Sequence, residues 1–355
     1  MTTDFFKDLK VIEIASVLAG PSVGLFFSEL GSTVTKIENK LTNGDVTRSW
    51  KLATENKDSN VSAYFCSVNW HKKYLFLDLT DEKDLFTVKN LISKSDIVIL
   101  NFKKDDDLRF GLDYASLSKQ NPQLIYGSIN GFGEKSDRVA YDLILQAETG
   151  FMSMNGTPES GPVKMPVALI DVLAGHQLKE GILVALINRM KTGKGQKVSV
   201  SLYDSAVASL ANQATNWLMA GHIAKRIGST HPNIAPYGEL FTTKDNHLIT
   251  FAIGSNKQFK NLCSVLKLDS ISEDTSFNSN VNRVKNRNSL ESLIKNEVKK
   301  WDSKELIECL HSKFVPVAKV NSINEVFKNQ SAKDLILTEQ IDGVETKRVK
   351  TVVFK

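Results

Sequence analysis

Between residues 9 and 130, short buried-strand patterns alternate with helical ones, and this alternation limits the fold more than any other feature of the chain. Lys10–Ala15 (KVIEIA) reads as a buried strand. Ser22–Leu30 reads as a helix, with Pro21 suited to its first turn and Gly31 stopping it. Thr33–Glu38 is a second strand ending in an acid, and Tyr74–Leu79 is a third. A helix from about Asp81 to Ser95, with Thr80 as its cap, leads into a fourth strand, Asp96–Phe102. A short helix near Tyr114–Gln120 and a fifth strand, Leu124–Ile129, complete the series. Strands separated by helices require right-handed crossovers and a parallel sheet. The expected class is therefore α/β, with a Rossmann-like parallel-sheet large domain.

At 355 residues the chain is long for one core, so two domains are expected. The composition shifts at Gly221–Pro236 to Gly, Ser, Thr, His, Asn and Pro, which reads as a linker. From Tyr237 a smaller unit begins, with two strands around the polar turn Lys244-Asp245-Asn246 and amphipathic helices at Gln258–Leu266, Ser289–Lys299 and Ser303–Phe314. No run approaches the roughly 20 apolar residues of a membrane span. The first residues carry an acid and lack an apolar core, so no export signal is expected. Cys66, Cys263 and Cys309 are widely spaced and form no metal pattern, which suits reduced thiols in a cytoplasmic protein. The net charge of +5 is mild, and no basic stripe with interleaved aromatics points to nucleic acid.

The turn after the first strand is Ser16-Val17-Leu18-Ala19-Gly20-Pro21. It lacks G-x-G-x-x-G, and a proline stands where a backbone amide would cradle pyrophosphate, so NAD is not the expected ligand. In open parallel sheets ligands sit outside the carboxyl ends of the strands. That rule singles out Val17–Pro21, Glu38–Arg48, Asn101–Lys104 and Asn130–Gly133. Rings and cations in these loops suit a purine with phosphates.

A separate stretch, Lys164–Gly175, surrounds one carboxylate, Asp171, with apolar residues. Asp171 sits where the strand-like run Val167–Ile170 gives way to a helix through Leu173, Leu178, Ile182 and Leu186. Two readings stay open on these residues alone: an N-cap, or a nucleophile whose charge a helix N-terminus favours.

Several ordered motifs together resemble the class III CoA-transferases, the family of formyl-CoA and carnitine CoA-transferases and the α-methylacyl-CoA racemase. They are Val11-Ile12-Glu13 to Ala19-Gly20-Pro21; Thr35-Lys36-Ile37-Glu38 with Gly44-Asp45-Val46-Thr47-Arg48; Asn101-Phe102 with Gly111-Leu112-Asp113-Tyr114; Gly131-Phe132-Gly133; Asp171 with Ala174-Gly175; and Lys191-Thr192-Gly193-Lys194-Gly195-Gln196. The resemblance covers nearly the whole chain. It implies that Asp171 attacks an acyl-CoA thioester, with Tyr141 beside it, and that CoA touches Val17, Lys72, Asn101, Phe102 and Arg109. It implies coenzyme A or acyl-CoA as substrate, a small carboxylate as acceptor, no tightly bound cofactor, no metal and an interlinked homodimer. The division it implies is a large CoA-binding domain over 1–205, completed by about 325–355, a linker over 206–236, and a small α+β domain with its return linker over 237–324. The racemases' histidine before an aspartate is here Tyr141-Asp142, and their small-domain glutamate falls near Asn256. An arginine that helps hold CoA is replaced by Asn39. The alternatives to CoA transfer are racemisation α to a thioester and a silent CoA-binding protein. Acyl group and acceptor stay open, with succinyl donors and small dicarboxylates as the family's habit.

Overall fold

Six strands form one sheet in the computed structural model, which describes residues 4–354: β1 (Lys10–Ile14), β2 (Thr33–Asn39), β3 (Lys73–Leu77), β4 (Ile97–Leu100), β5 (Ile125–Asn130) and β6 (Lys197–Ser201). Their spatial order is β3-β2-β1-β4-β5-β6, and every pairing is parallel. This is the doubly wound arrangement that the alternation implies, and its order reverses between β1 and β4. The residues of β4 alternate between two cores. Ile97 and Ile99 join the cluster under helices Ala19–Glu29 and Leu169–Thr192. Val98 and Leu100 join the cluster under Glu82–Ser93 and Tyr114–Gln120. Covered on both faces, β4 is apolar at every position.

The described chain divides into two compact units. The larger holds the residues up to Met154, Val163–Ala224, and those from Asp334 on. The smaller holds Asn155–Pro162 and Lys225–Lys333. In the smaller unit β7 (Tyr237–Thr242), β8 (Leu248–Ala252) and β9 (Val317–Lys319) form an antiparallel sheet. Phe241, Ile249 and Phe251 from its strands pack with Phe259, Leu290, Ile294 and Leu306 from its helices. In the larger unit the hairpin of β10 (Ile336–Ile341) and β11 (Val344–Val349) fastens to the sheet domain through charge. Asp342 at its turn meets Arg48 Nη1 at 3.2 Å, and Arg348 pairs with the buried carboxylate of Glu29.

Some local expectations change. Val167–Ile170 is not a strand: a helix starts at Leu169, and both sides of β5 are already taken by β4 and β6. Asp81, not Thr80, caps the helix Glu82–Ser93, accepting from the N–H groups of Lys83 and Asp84. Thr80 instead bonds to Asp78 through its own N–H and hydroxyl. Residues 202–220 form two helices, Leu202–Ala208 and Ala211–Ala220, the second opening on Ala211 at φ +47°.

Candidate active site

The site grows out of the turn where β1 ends and the sheet order reverses. Asn101, directly after β4, clasps Ser16 twice: its Oδ1 accepts from the Ser16 N–H at 3.1 Å and its Nδ2 donates to the Ser16 carbonyl at 2.9 Å. The next residue, Val17, has φ +72°. Left-handed backbone costs a non-glycine residue about 1–2 kcal/mol, and a branched β-carbon makes it rarer still. The Val17 N–H donates to both oxygens of Asp45, at 3.3 and 3.2 Å. The helix Ala19–Glu29 then begins without a side-chain cap, which leaves its first amides open. A β-carbon at Gly20 would lie 2.5 Å from that of Ala15, so only glycine lets this helix start so close to β1.

A buried charge cluster lies beneath the turn. Glu13, in the middle of β1 and fully buried, meets Lys36 Nζ at 3.0 Å and Lys72 Nζ at 2.7 Å. Lys36 also meets Asp45 at 3.1 Å and donates to the Ala15 carbonyl. Burial works against the charge on Lys36, but Glu13 and Asp45 outweigh it and hold its pKa above the usual lysine value. Burial likewise opposes charge on Asp45, yet Lys36 and the two Thr47 donors keep its carboxyl below the usual range. Burial pulls Lys72 down to about 8 despite Glu13. Glu38, the acid at the end of β2, receives Arg48 Nε at 2.7 Å, Arg48 Nη2 at 2.6 Å and the Asp45 N–H at 2.7 Å. The position that grips a ribose in dinucleotide-binding sheets is thus occupied by an internal ion pair.

Asp171 lies in the first turn of the helix Leu169–Thr192 and is 7% exposed. It is not the cap. Asp142, from the helix Asp142–Glu148, takes that part: its Oδ1 accepts from the N–H groups of Ile170 at 2.7 Å and Asp171 at 3.4 Å. Gln146 holds the other oxygen of Asp142 at 2.6 Å. The positive end of the long helix is therefore already neutralised by a carboxylate. Burial, together with the neighbouring charge of Asp142, pushes the Asp171 carboxyl up to about 7.

Asp171 opens into a cavity of about 260 Å³ lined by Val17, Ala19, Asn101, Phe102, Lys104 and Tyr141, among others. A second cavity of about 470 Å³ shares Ser16, Asn101, Phe102 and Lys103 with it and extends to Asn39, Leu41, Phe110 and Arg109. Of the residues expected from the sequence, Asp171, Tyr141, Val17, Asn101 and Phe102 share one cavity, and Arg109 lines the adjoining one. Lys72 is not brought to either. Its ammonium is fully buried, donating to Glu13, to the Pro21 carbonyl at 2.9 Å and to Asn69 at 3.0 Å. Asp45 and Arg48, neighbours in one motif, pair with Lys36 and Glu38 rather than with each other.

Tyr64 escapes sequence reasoning altogether. Burial and the charges of Asp171, Asp142 and Asp45 push its phenol up to about 12, and Trp50 packs edge-on against its ring at 5.1 Å. No motif surrounds Tyr64; only its proximity to three acids marks it. Among the described residues no cluster of His, Cys, Asp and Glu has the makings of a metal site, and no helix is long and apolar enough to cross a membrane.

The chain matches the family described as CoA-transferase family III over residues 6–355. It is 38% identical to a succinate–glutarate CoA-transferase of Agrobacterium fabrum, covering 98% of this chain and 88% of that protein. It is 33% identical to a succinyl-CoA:glutarate CoA-transferase of Mus musculus, covering 90% of this chain and 73% of that one. The crystal structure of a CAIB/BAIF family protein from Brucella suis superposes with a TM-score of 0.85 at 36% identity, covering 98% of this chain and 91% of the other.

Proposed function

We propose, from the premise that this chain belongs to CoA-transferase family III and is an acyl-CoA:carboxylate CoA-transferase, that the transfer runs through covalent intermediates on Asp171. The observation that carries this reading is a carboxylate with a raised pKa, open to a cavity at the carboxyl ends of the strands where the sheet order reverses. CoA would lie along the adjoining cavity past Arg109, with Phe102 and Asn101 at the junction and its thioester in the smaller cavity.

The steps balance without a redox change or a net proton. A carboxylate oxygen of Asp171 attacks the thioester carbonyl and the C–S bond breaks, giving an aspartyl mixed anhydride and CoA thiolate. The thiolate attacks the aspartyl carbonyl and releases the donor as its carboxylate, leaving an aspartyl–CoA thioester. The acceptor carboxylate attacks that thioester, forming a second anhydride and freeing the thiolate again. The thiolate then attacks the acceptor's acyl carbon, yielding the new acyl-CoA and restoring Asp171. Each attack puts negative charge on a carbonyl oxygen, and the open amides at the start of the helix Ala19–Glu29 suit that charge. A raised pKa makes Asp171 a stronger nucleophile once ionised.

The relatives' names point to a succinyl donor and a C5 dicarboxylate acceptor as the first pair to try. Racemisation is the weaker reading. It needs paired acid–base groups, whereas Tyr141 takes the histidine's place and the Asn256 amide is held by Arg283 at 3.0 Å. A second copy of the chain is the proposed occupant of the apolar surface around Trp217, Leu218 and Met219, which are 54%, 79% and 83% exposed.

Intact-protein mass spectrometry after incubation with succinyl-CoA tests the mechanism. A CoA-sized adduct is expected on the wild type, mapped to Asp171 and discharged by glutarate, and none on Asp171→Ala. An adduct that persists on Asp171→Ala, or wild-type turnover with no trappable adduct, overturns it.

A further inference from the structure

We propose that Asp45 is a positioning residue for this reaction: it holds Val17 in the left-handed conformation that shapes the wall of the cavity facing Asp171. This role rests on the Asp171 chemistry proposed above but concerns a different residue and a different effect.

An ordinary N-cap needs one side-chain oxygen. Asp45 meets that need with Oδ1, which accepts from the Thr47 N–H at 3.0 Å and the Thr47 hydroxyl at 2.8 Å as Asp45 caps the short helix Val46–Ser49. Its reach to Val17 and to Lys36 goes beyond that duty. Val17 is anchored from no other side chain among the described residues, and a valine does not take φ +72° unaided. Asp45 is itself fixed on every side. Lys36 sits at 3.1 Å, its own N–H donates to Glu38, and Glu38 is locked by Arg48. A rigid line of charges therefore ends on one backbone amide at the lip of the active-site cavity. With Asn101 gripping Ser16 and Asp45 gripping Val17, two successive residues just ahead of the helix Ala19–Glu29 are held in place. The direction in which the open amides at the start of that helix point is set by this grip.

Glycine takes left-handed backbone freely, so Val17→Gly removes the need for the grip while leaving Asp45 in place. A double-mutant cycle then separates holding Val17 from merely stabilising the fold. The rate of aspartyl adduct formation is measured for wild type, Asp45→Asn, Val17→Gly and the double variant, with KM for acyl-CoA and thermal midpoint alongside. Asp45→Asn keeps a side-chain oxygen for Thr47 and gives up the charged oxygen between Val17 and Lys36. Expected is a loss of about tenfold to a hundredfold in adduct rate in the valine background, as for a misplaced reacting group. In the glycine background the same substitution costs less than about threefold. An equal loss in both backgrounds makes Asp45 structural only and overturns the proposal. Should Asp45→Asn fail to fold, the isosteric Thr47→Val loosens Asp45 by one hydrogen bond. The same cycle is then run with it, with about a threefold loss expected when Val17 is intact and none in the Val17→Gly background; equal losses there overturn the proposal too. Failure of the Asp171 mechanism is distinct, because it appears as absence of any adduct on the wild type.

Discussion

At the scale of single residues, Asp171 and Asp142 divide two tasks that one aspartate at a helix start would ordinarily combine. Asp142 caps the long helix and supplies a fixed negative charge, and Asp171 is left buried and hard to ionise. The pH dependence follows. Adduct formation by the free enzyme should rise with pH through about 7 as Asp171 ionises, and Asp142→Asn should move that midpoint down by removing the like charge, read by rapid-quench mass spectrometry. Stability runs the other way. The folded-state pKa is raised above the unfolded value, so ionising Asp171 costs stability as pH climbs from about 4 to 7, roughly 1.4 kcal/mol for each tenfold change in proton affinity. Asp171→Asn should therefore melt higher than wild type at pH 8, with the difference vanishing near pH 4. A scan of thermal midpoints against pH for the two proteins checks it. The sequence marks Asp171 because apolar neighbours isolate it and the family motif surrounds it. Tyr64 is invisible for the opposite reason: the three acids whose charges raise its pKa lie at positions 45, 142 and 171, far apart in the chain.

At the scale of elements, the alternation of strands and helices was enough to read the sheet, because a parallel strand covered on both faces must be apolar throughout, as β4 is. What the alternation could not convey is Glu13. A charge in the middle of β1 looks like a solvent-facing position, yet it is fully buried and paired with two lysines from different segments. Lys72 was legible only by analogy, and its burial is set by the tertiary pairing with Glu13 rather than by its own neighbours in sequence. The close start of the helix Ala19–Glu29 on β1 yields a sharper expectation. Gly20→Ala would force its β-carbon against that of Ala15, both fixed to backbone, and push the helix off the sheet. Overpacking of this kind costs about 1–3 kcal/mol, measurable as a lower urea midpoint.

At the scale of the whole molecule, Trp217, Leu218 and Met219 are consecutive and exposed on one helix, Ala211–Ala220. If a second copy covers them, Trp217→Glu should shift the protein toward monomer in light scattering, while wild type stays dimeric at micromolar concentration. The boundary between Ala224 and Lys225 falls inside the composition shift at Gly221–Pro236, whereas the short segment Asn155–Pro162, which belongs with the smaller unit, carries no such signal. The terminal hairpin has a consequence for the chain's birth. A ribosome delivers the protein from its first residue, and β1 to β6 have all emerged once Ser201 is out. Yet Glu29 waits for Arg348, 319 residues later, and Arg48 waits for Asp342, 294 residues later. Through most of synthesis the sheet domain thus holds a carboxylate destined for burial, Glu29, that still lacks its counter-charge. Completion of this domain therefore waits until residues 342–348 have been made, and hydration shelters the unpaired carboxylate until then.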